Sequence, residues 1–103
     1  MKFLSNKKLK LQLEPGKKGN YADLITICID NVPEKGFTRE DFKQRDRIEE
    51  TMKKFKNGNF KFEDQDAENL KTIVELMRWQ IRDKEIKTFL DDVAEMKEVT
   101  NTK

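Results

Sequence analysis

The feature that most constrains the fold is a change in hydrophobic period along the chain. Leu9, Leu11 and Leu13 alternate with polar residues, which predicts a strand over residues 8–13 with one buried face. From residue 21 onward, apolar side chains recur mostly at intervals of three or four residues, which is typical of helices. Short strands combined with several helices indicate an α+β fold.

A turn and a capped helix follow the first strand. Pro15-Gly16 fits the two central positions of a type II turn, and residues 16–19 are expected to continue as a flexible basic loop. Asn20 is a suitable N-cap for the helix. Pro33 and Gly36 end this helix. Its apolar stripe consists of Tyr21, Leu24, Ile25, Cys28, Ile29 and Val32.

The second helix carries the best local signal in the chain. Thr38 can cap it, Asp41 stands in for the Glu or Gln of a capping box, and Phe37 can pack on Phe42 as a hydrophobic staple. The helix is expected to begin at residue 38 or 39 and to stop at Asn57-Gly58. Its sparse core face consists of Phe42, Ile48, Met52 and Phe55.

One more strand and two more helices complete the prediction. Phe60 and Phe62 alternate with polar residues, so residues 59–63 form a strand. The third helix starts near Asp64, and Asp83 caps the fourth. The apolar stripes are Leu70, Ile73, Val74, Met77 and Ile81 in the third helix, and Ile86, Phe89, Leu90, Val93 and Met96 in the fourth.

These elements predict one domain over residues 1–103. We expect a two-stranded sheet, formed by residues 8–13 and 59–63, to pack against about four helices. Residues 1–7 and 98–103 are expected to be frayed. Charged residues make up 41% of the chain, but Leu, Ile, Val and Phe together number 26 of 103. That share exceeds the roughly 20% below which chains stay disordered, so the chain is expected to fold.

The composition also bears on chemistry. The chain has no histidine and one cysteine, Cys28, which lies on an apolar helical stripe where burial is expected. Without a base to activate that thiol, we expect no enzyme activity and no cofactor. Asp64, Asp66, Glu68 and Glu75 have the spacing of a calcium-binding loop. Asn69 replaces the required Gly, and the helical apolar period runs through the segment, so no metal is assigned.

Two surface patches suggest contacts with a protein partner or with a second copy of the chain. Arg78, Trp79 and Arg82 have the composition of a binding hot spot, although burial of Trp79 against the fourth helix is the alternative. Asp91, Asp92 and Glu95 form an acidic face of the fourth helix that could meet a basic surface. The open edge of the first strand indicates a site for self-association.

Nucleic-acid binding is the alternative function. Residues 1–20 contain six lysines and one acidic residue. The order of strand, helix, Gly36-Phe37-Thr38-Arg39 and second helix resembles ribbon-helix-helix repressors, although a Pro/Gly loop separates the first strand from the helix. In such repressors paired strands enter the major groove and the second helix offers its N-terminus to a phosphate. The residues concerned would be Lys8, Lys10, Gln12, Thr38 and Arg39. Lys17 and Lys18, in the loop between Gly16 and Gly19, could also contact a phosphate.

A second resemblance covers most of the chain. Residues 21–25, 31–33, 36–38, 45–48, 77–79 and 89–93 together are similar in layout to small accessory proteins of tailed bacteriophages. The resemblance implies a non-enzymatic adaptor, encoded by a phage or a bacterium, that acts in virion assembly or in control of a host complex. It would reside in the bacterial cytoplasm or in a virion. No segment has the apolar length of a bilayer span, so a soluble protein is expected.

Overall fold

The structure is a computed structural model that describes residues 1–55, 58–79 and 82–98. The helices are α1 (Tyr21–Asp30), α2 (Arg39–Lys54), α3 (Asp64–Leu76) and α4 (Lys84–Ala94). The strands are β1 (Lys2–Ser5), β2 (Lys8–Glu14), β3 (Lys17–Asn20), β4 (Asn59–Phe62) and β5 (Lys97–Glu98). Helices combined with two small antiparallel sheets confirm the predicted α+β class.

Strand β2 does not pair with β4, so the predicted sheet of residues 8–13 and 59–63 is wrong. Instead β2 forms a hairpin with β3, in which Gln12 lies opposite Lys18 and Glu14 opposite Lys17. Gly16 in the connecting turn has φ 76°, a value that glycine adopts without strain. Residues 17–20 are therefore a strand, where a flexible loop was expected.

The other sheet has the order β4-β1-β5, with β1 in the middle. Leu4 of β1 lies opposite Phe60 of β4, and Phe3 lies opposite Lys97 of β5 on the other side. Residues 2–5 were expected to be frayed, and this pairing shows that they are not. The C-terminal prediction is wrong at Glu98, which belongs to β5, while residues 99–103 lie outside the described part.

One hydrophobic cluster joins both sheets and all four helices. Its largest side chains are Tyr21, Phe60, Phe62 and Phe89, each at most 2% exposed. Burial of a side chain of this size stabilises the fold by about 1.5–3 kcal/mol. Among the described helices, none is long and apolar enough to cross a membrane.

The predicted helix starts are confirmed. Asn20 accepts a hydrogen bond from the Asp23 N–H, and Thr38 and Asp41 form the expected capping box. The rings of Phe37 and Phe42 lie 5.2 Å apart, as a hydrophobic staple requires. Asp83 accepts a hydrogen bond from the Glu85 N–H and caps α4.

Three details of the predicted stripes are wrong or untested. Val32 lies beyond the end of α1 and is 63% exposed, and Phe42 is 55% exposed because it faces outward on α2. Ile81 falls outside the described residues, whereas Met77, at the C-cap of α3, packs against the core as predicted. The four carboxylates at the calcium-loop spacing all lie within this continuous helix, which favours the helical interpretation.

Candidate functional site

A cleft of about 450 Å³ lies between the connection that follows α1 and the C-terminal end of α3. One wall comes from residues 31–34, which include Val32 and Glu34. The other comes from residues 73–78, which include Leu76 and Arg78. Arg45 of α2 also lines the cleft. We call this surface the docking cleft.

Each wall of the docking cleft presents an exposed aliphatic side chain. Val32 is 63% exposed and Leu76 is 60% exposed, although both are large and apolar. Buried Ile73 lies beside them, and Pro33 adds further apolar surface. Single exposed aliphatic residues are common, but several around one concavity are typical of a binding surface.

Arg45 fixes the shape of the cleft. Its Nε donates to the carbonyl oxygen of Ile29 at 3.0 Å, and the arginine is only 8% exposed. Ile29 lies in the last turn of α1, which has no basic residue of its own. Arg45 thus supplies a donor and a positive charge to the C-terminus of α1. The Phe37 ring centroid lies 5.0 Å from its guanidinium carbon, close enough for a cation–π contact.

The charges on the two walls are opposite in sign and unpaired. Glu34 lies next to Pro33 along the chain, and Arg78 lies close to Leu76; both charged residues are exposed. Within the described ranges, neither side chain forms an ion pair or a side-chain hydrogen bond. Next to Arg45, the Phe37 ring contacts the exposed Phe42, and neither ring lines the cleft. The site therefore offers apolar anchors flanked by an acid and a base.

The predicted patch of Arg78, Trp79 and Arg82 is divided in the structure. Arg78 joins the docking cleft, and Arg82 is exposed in the connection to α4. Trp79 packs edge-on against Phe89 of α4, with ring centroids 6.3 Å apart. Its indole Nε1 is buried without an acceptor among the described residues. Trp79 thus follows the burial alternative and closes the core against α4.

The predicted acidic face of α4 is also divided. Asp91 and Glu95 are exposed, whereas Asp92 accepts hydrogen bonds from the Tyr21 hydroxyl at 2.6 Å and from Lys7 Nζ at 2.9 Å. Burial alone would raise the pKa of Asp92, but these two hydrogen bonds and the charge of Lys7 lower it overall. Burial and the bond to Asp92 raise the pKa of Tyr21. Asp92 is therefore engaged within the chain.

The residues predicted for nucleic-acid binding lie partly on the β2–β3 hairpin. Lys8, Lys10, Gln12 and Lys18 are exposed there, whereas the side chain of Lys17 lies outside the described part. Within that part, none of the three exposed lysines forms an ion pair. Thr38 is occupied as a helix cap, and Arg39 is exposed.

The hairpin departs from the ribbon-helix-helix layout. One edge of β2 pairs with β3 of the same chain, not with a partner strand. The backbone N–H groups of Lys10 and Leu11 donate to the carboxylate of Glu85 at 2.8–3.0 Å. A side chain from α4 thus occupies the backbone donors that a second copy would need at this point.

Sequence reasoning missed most of the docking cleft. Arg45 lies three residues before the buried Ile48 on the same face of α2, and this position was a usable sign that its side chain faces inward. Asp66, outside the cleft, is 3% exposed and pairs with Arg47 at 2.9 Å; it likewise lies on the same helical face as the buried Leu70 and Ile73. Val32 continues the apolar stripe of α1 and gave no sign of exposure, whereas Leu76 lies off the predicted stripe of α3, which was a usable sign that it is exposed.

In the part of the chain that the structure describes, no group of three or more Cys, Asp or Glu side chains is placed to hold a metal ion. Comparisons with protein-family models, with curated proteins and with solved structures gave no significant match. The resemblance to phage accessory proteins therefore stays a prediction.

Proposed function

We propose that the chain is a non-enzymatic protein-binding protein that docks through the cleft between residues 31–34 and 73–78. The observation that carries this proposal is the exposure of Val32 and Leu76, at 63% and 60%, on the walls of one cleft. Covering such side chains removes apolar surface from water, at about 25 cal/mol per Å². The unpaired charges of Glu34 and Arg78 would orient the bound surface.

The preformed shape of the cleft supports docking without large rearrangement. Arg45 ties α1 to α2 through the Ile29 carbonyl, so the wall that carries Val32 is anchored. Helix α3 holds the other wall, because Ile73 on the same helix is buried in the core. A surface held in its bound shape loses little conformational entropy on binding. A cellular setting in bacterial cytoplasm or a virion, with a role in assembly or regulation, belongs to the same proposal.

The test starts from native cells that encode the chain. Affinity purification and mass measurement of the intact complex identify the partner and its copy number, and the complex is then rebuilt from purified components. We expect Leu76→Glu to weaken the rebuilt complex by at least about tenfold, because a buried leucine contributes about 1.5–3 kcal/mol.

Ile27→Glu is the matched control. Ile27 is also exposed, at 37%, but it does not line the cleft. The control should bind like the wild type, and both variants should unfold at similar temperatures. Equal binding by Leu76→Glu and the wild type would reject the cleft as the docking surface. Turnover of a substrate that is abolished when one carboxylate is replaced by its amide would reject the non-enzymatic function.

Nucleic-acid binding is a second candidate, supported by the exposed Lys8, Lys10 and Lys18 on one hairpin. A two-stranded ribbon of this size fits the major groove. A protein that contacts phosphates loses affinity steeply as salt rises. The test compares duplex binding by the wild type and by a variant with these three lysines changed to Gln, across a salt series. Binding that is insensitive to both salt and the substitutions would remove this candidate.

A further inference from the structure

The two walls of the docking cleft complement each other. One wall carries an exposed aliphatic residue and an acid, Val32 and Glu34; the other carries an exposed aliphatic residue and a base, Leu76 and Arg78. Glu34 and Arg78 make no ion pair with each other or with another described residue. The acid and aliphatic residue of one wall could therefore pair with the base and aliphatic residue of the opposite wall in a second copy.

We infer that the occupant of the cleft is a second copy of this chain, related by a two-fold axis. This inference rests on the proposed function, because it names the partner of the same surface. In a two-fold interface the same patch appears on both subunits, and each contact occurs twice. Leu76 of one copy would cover Val32 of the other, and Arg78 would meet Glu34 in both directions.

The charge pattern favours a second copy over a partner of uniform charge. A strongly acidic partner would meet Arg78 but would place like charge against Glu34, and a basic partner would do the reverse. An identical copy satisfies both charges at once. The exposed Phe42, which contacts Phe37, lies outside the residues that line the cleft and would extend the interface where the second copy also covers the start of α2. A stable interface needs roughly 1,200–2,000 Å² in total, so this extension matters.

The test is a charge exchange between subunits, followed by sedimentation equilibrium of the full chain at micromolar concentrations. Glu34→Arg gives a chain with a base on both walls, and Arg78→Glu gives a chain with an acid on both walls. Both side chains are exposed, so the fold tolerates either change. We expect the wild type to dimerise and each variant alone to dimerise at least about tenfold more weakly.

The mixture of the two variants is the decisive sample. In a mixed dimer the two bases of the Glu34→Arg chain lie opposite the two acids of the Arg78→Glu chain, so an equimolar mixture should regain the wild-type affinity. The double variant Glu34→Arg with Arg78→Glu should also dimerise by itself. Ile27→Glu, outside the cleft, should leave the dimer unchanged.

Three results would overturn the inference, and they bear differently on the proposed function. A monomeric wild type, together with a Leu76-dependent complex with another protein, rejects the second copy and leaves the docking cleft intact. A dimer that neither reversal weakens places the two-fold interface elsewhere. A Leu76→Glu variant that dimerises like the wild type and binds every isolated partner equally well rejects the inference and the proposed function together.

Discussion

Replacing Arg45 with methionine should destabilise the fold by about 2–3 kcal/mol. The Nε–H bond to the Ile29 carbonyl, at 3.0 Å, is a hydrogen bond from a charged donor, and such bonds contribute about 1.5–3 kcal/mol. The cation–π contact with Phe37 adds about 0.5–2 kcal/mol. Methionine avoids the cost of burying a cation, which offsets part of this loss. The last turn of α1 is left without its donor, and this effect dominates.

Urea unfolding followed by circular dichroism measures the change. For a domain of this size, each kcal/mol corresponds to roughly 4–8 °C in Tm, so thermal unfolding provides a second measurement. Arg45→Lys keeps the charge without the planar guanidinium, and we expect an intermediate loss. Arg39→Met is the matched control, because Arg39 is exposed on the same helix. If Arg45→Met and Arg39→Met agree within about 0.5 kcal/mol, the role assigned to Arg45 is wrong.

Three further outcomes follow from the contacts of Cys28, Asp92 and Glu85. Burial raises the pKa of the Cys28 thiol to about 12, so a thiol reagent at pH 8 should modify it only after denaturant is added, and rapid modification of the folded protein would contradict its burial. The pKa of Asp92 is lowered despite burial, by the hydrogen bonds from Tyr21 and Lys7. The ionised Asp92 carboxylate stabilises the fold above its unfolded-state pKa of about 3.9, and this stabilisation is lost as pH falls through the lower native pKa. Asp92→Asn should therefore make the free energy of unfolding less dependent on pH below about pH 4, and an unchanged pH dependence would contradict this. Glu85→Ala should speed amide hydrogen exchange at Lys10 and Leu11 but not at Phe60, and should lower the free energy of unfolding by about 1–3 kcal/mol. Unchanged exchange would show that water replaces the carboxylate as acceptor without loss of stability.

Local features of the fold were predictable from the sequence, and pairings between distant segments were not. The Thr38–Asp41 capping box and the Phe37–Phe42 staple involve neighbours within a few residues, so sequence alone determines them. The segment 2–5 is too short to show the alternating hydrophobic pattern of a strand. Its partner, β4, lies more than fifty residues later in the chain. Two strands with similar alternation, β2 and β4, were therefore paired with each other in the prediction.

The docking cleft was harder to predict than the helices. Arg78 was predicted from the composition of the patch around Trp79 and does line the cleft, but Trp79 itself packs against the core. The exposure of Val32 depends on where α1 ends, and helix ends are the least reliable part of a pattern-based prediction. Leu76 lies within α3 but off its apolar stripe. Helical period could place Arg45 on the inward face of α2, but it could not identify the Ile29 carbonyl of another helix as the acceptor for its guanidinium.

The central position of β1 in its sheet has a consequence for biosynthesis. Lys2 and Phe3 leave the ribosome more than ninety residues ahead of Lys97 and Glu98, which pair with them. At about 5–20 residues per second, one side of β1 waits for seconds without its partner strand. We therefore expect nascent chains arrested before residue 97 to be cleaved by protease much faster than the released protein. Equal protection of arrested and released chains would show that β5 is dispensable for closing the sheet.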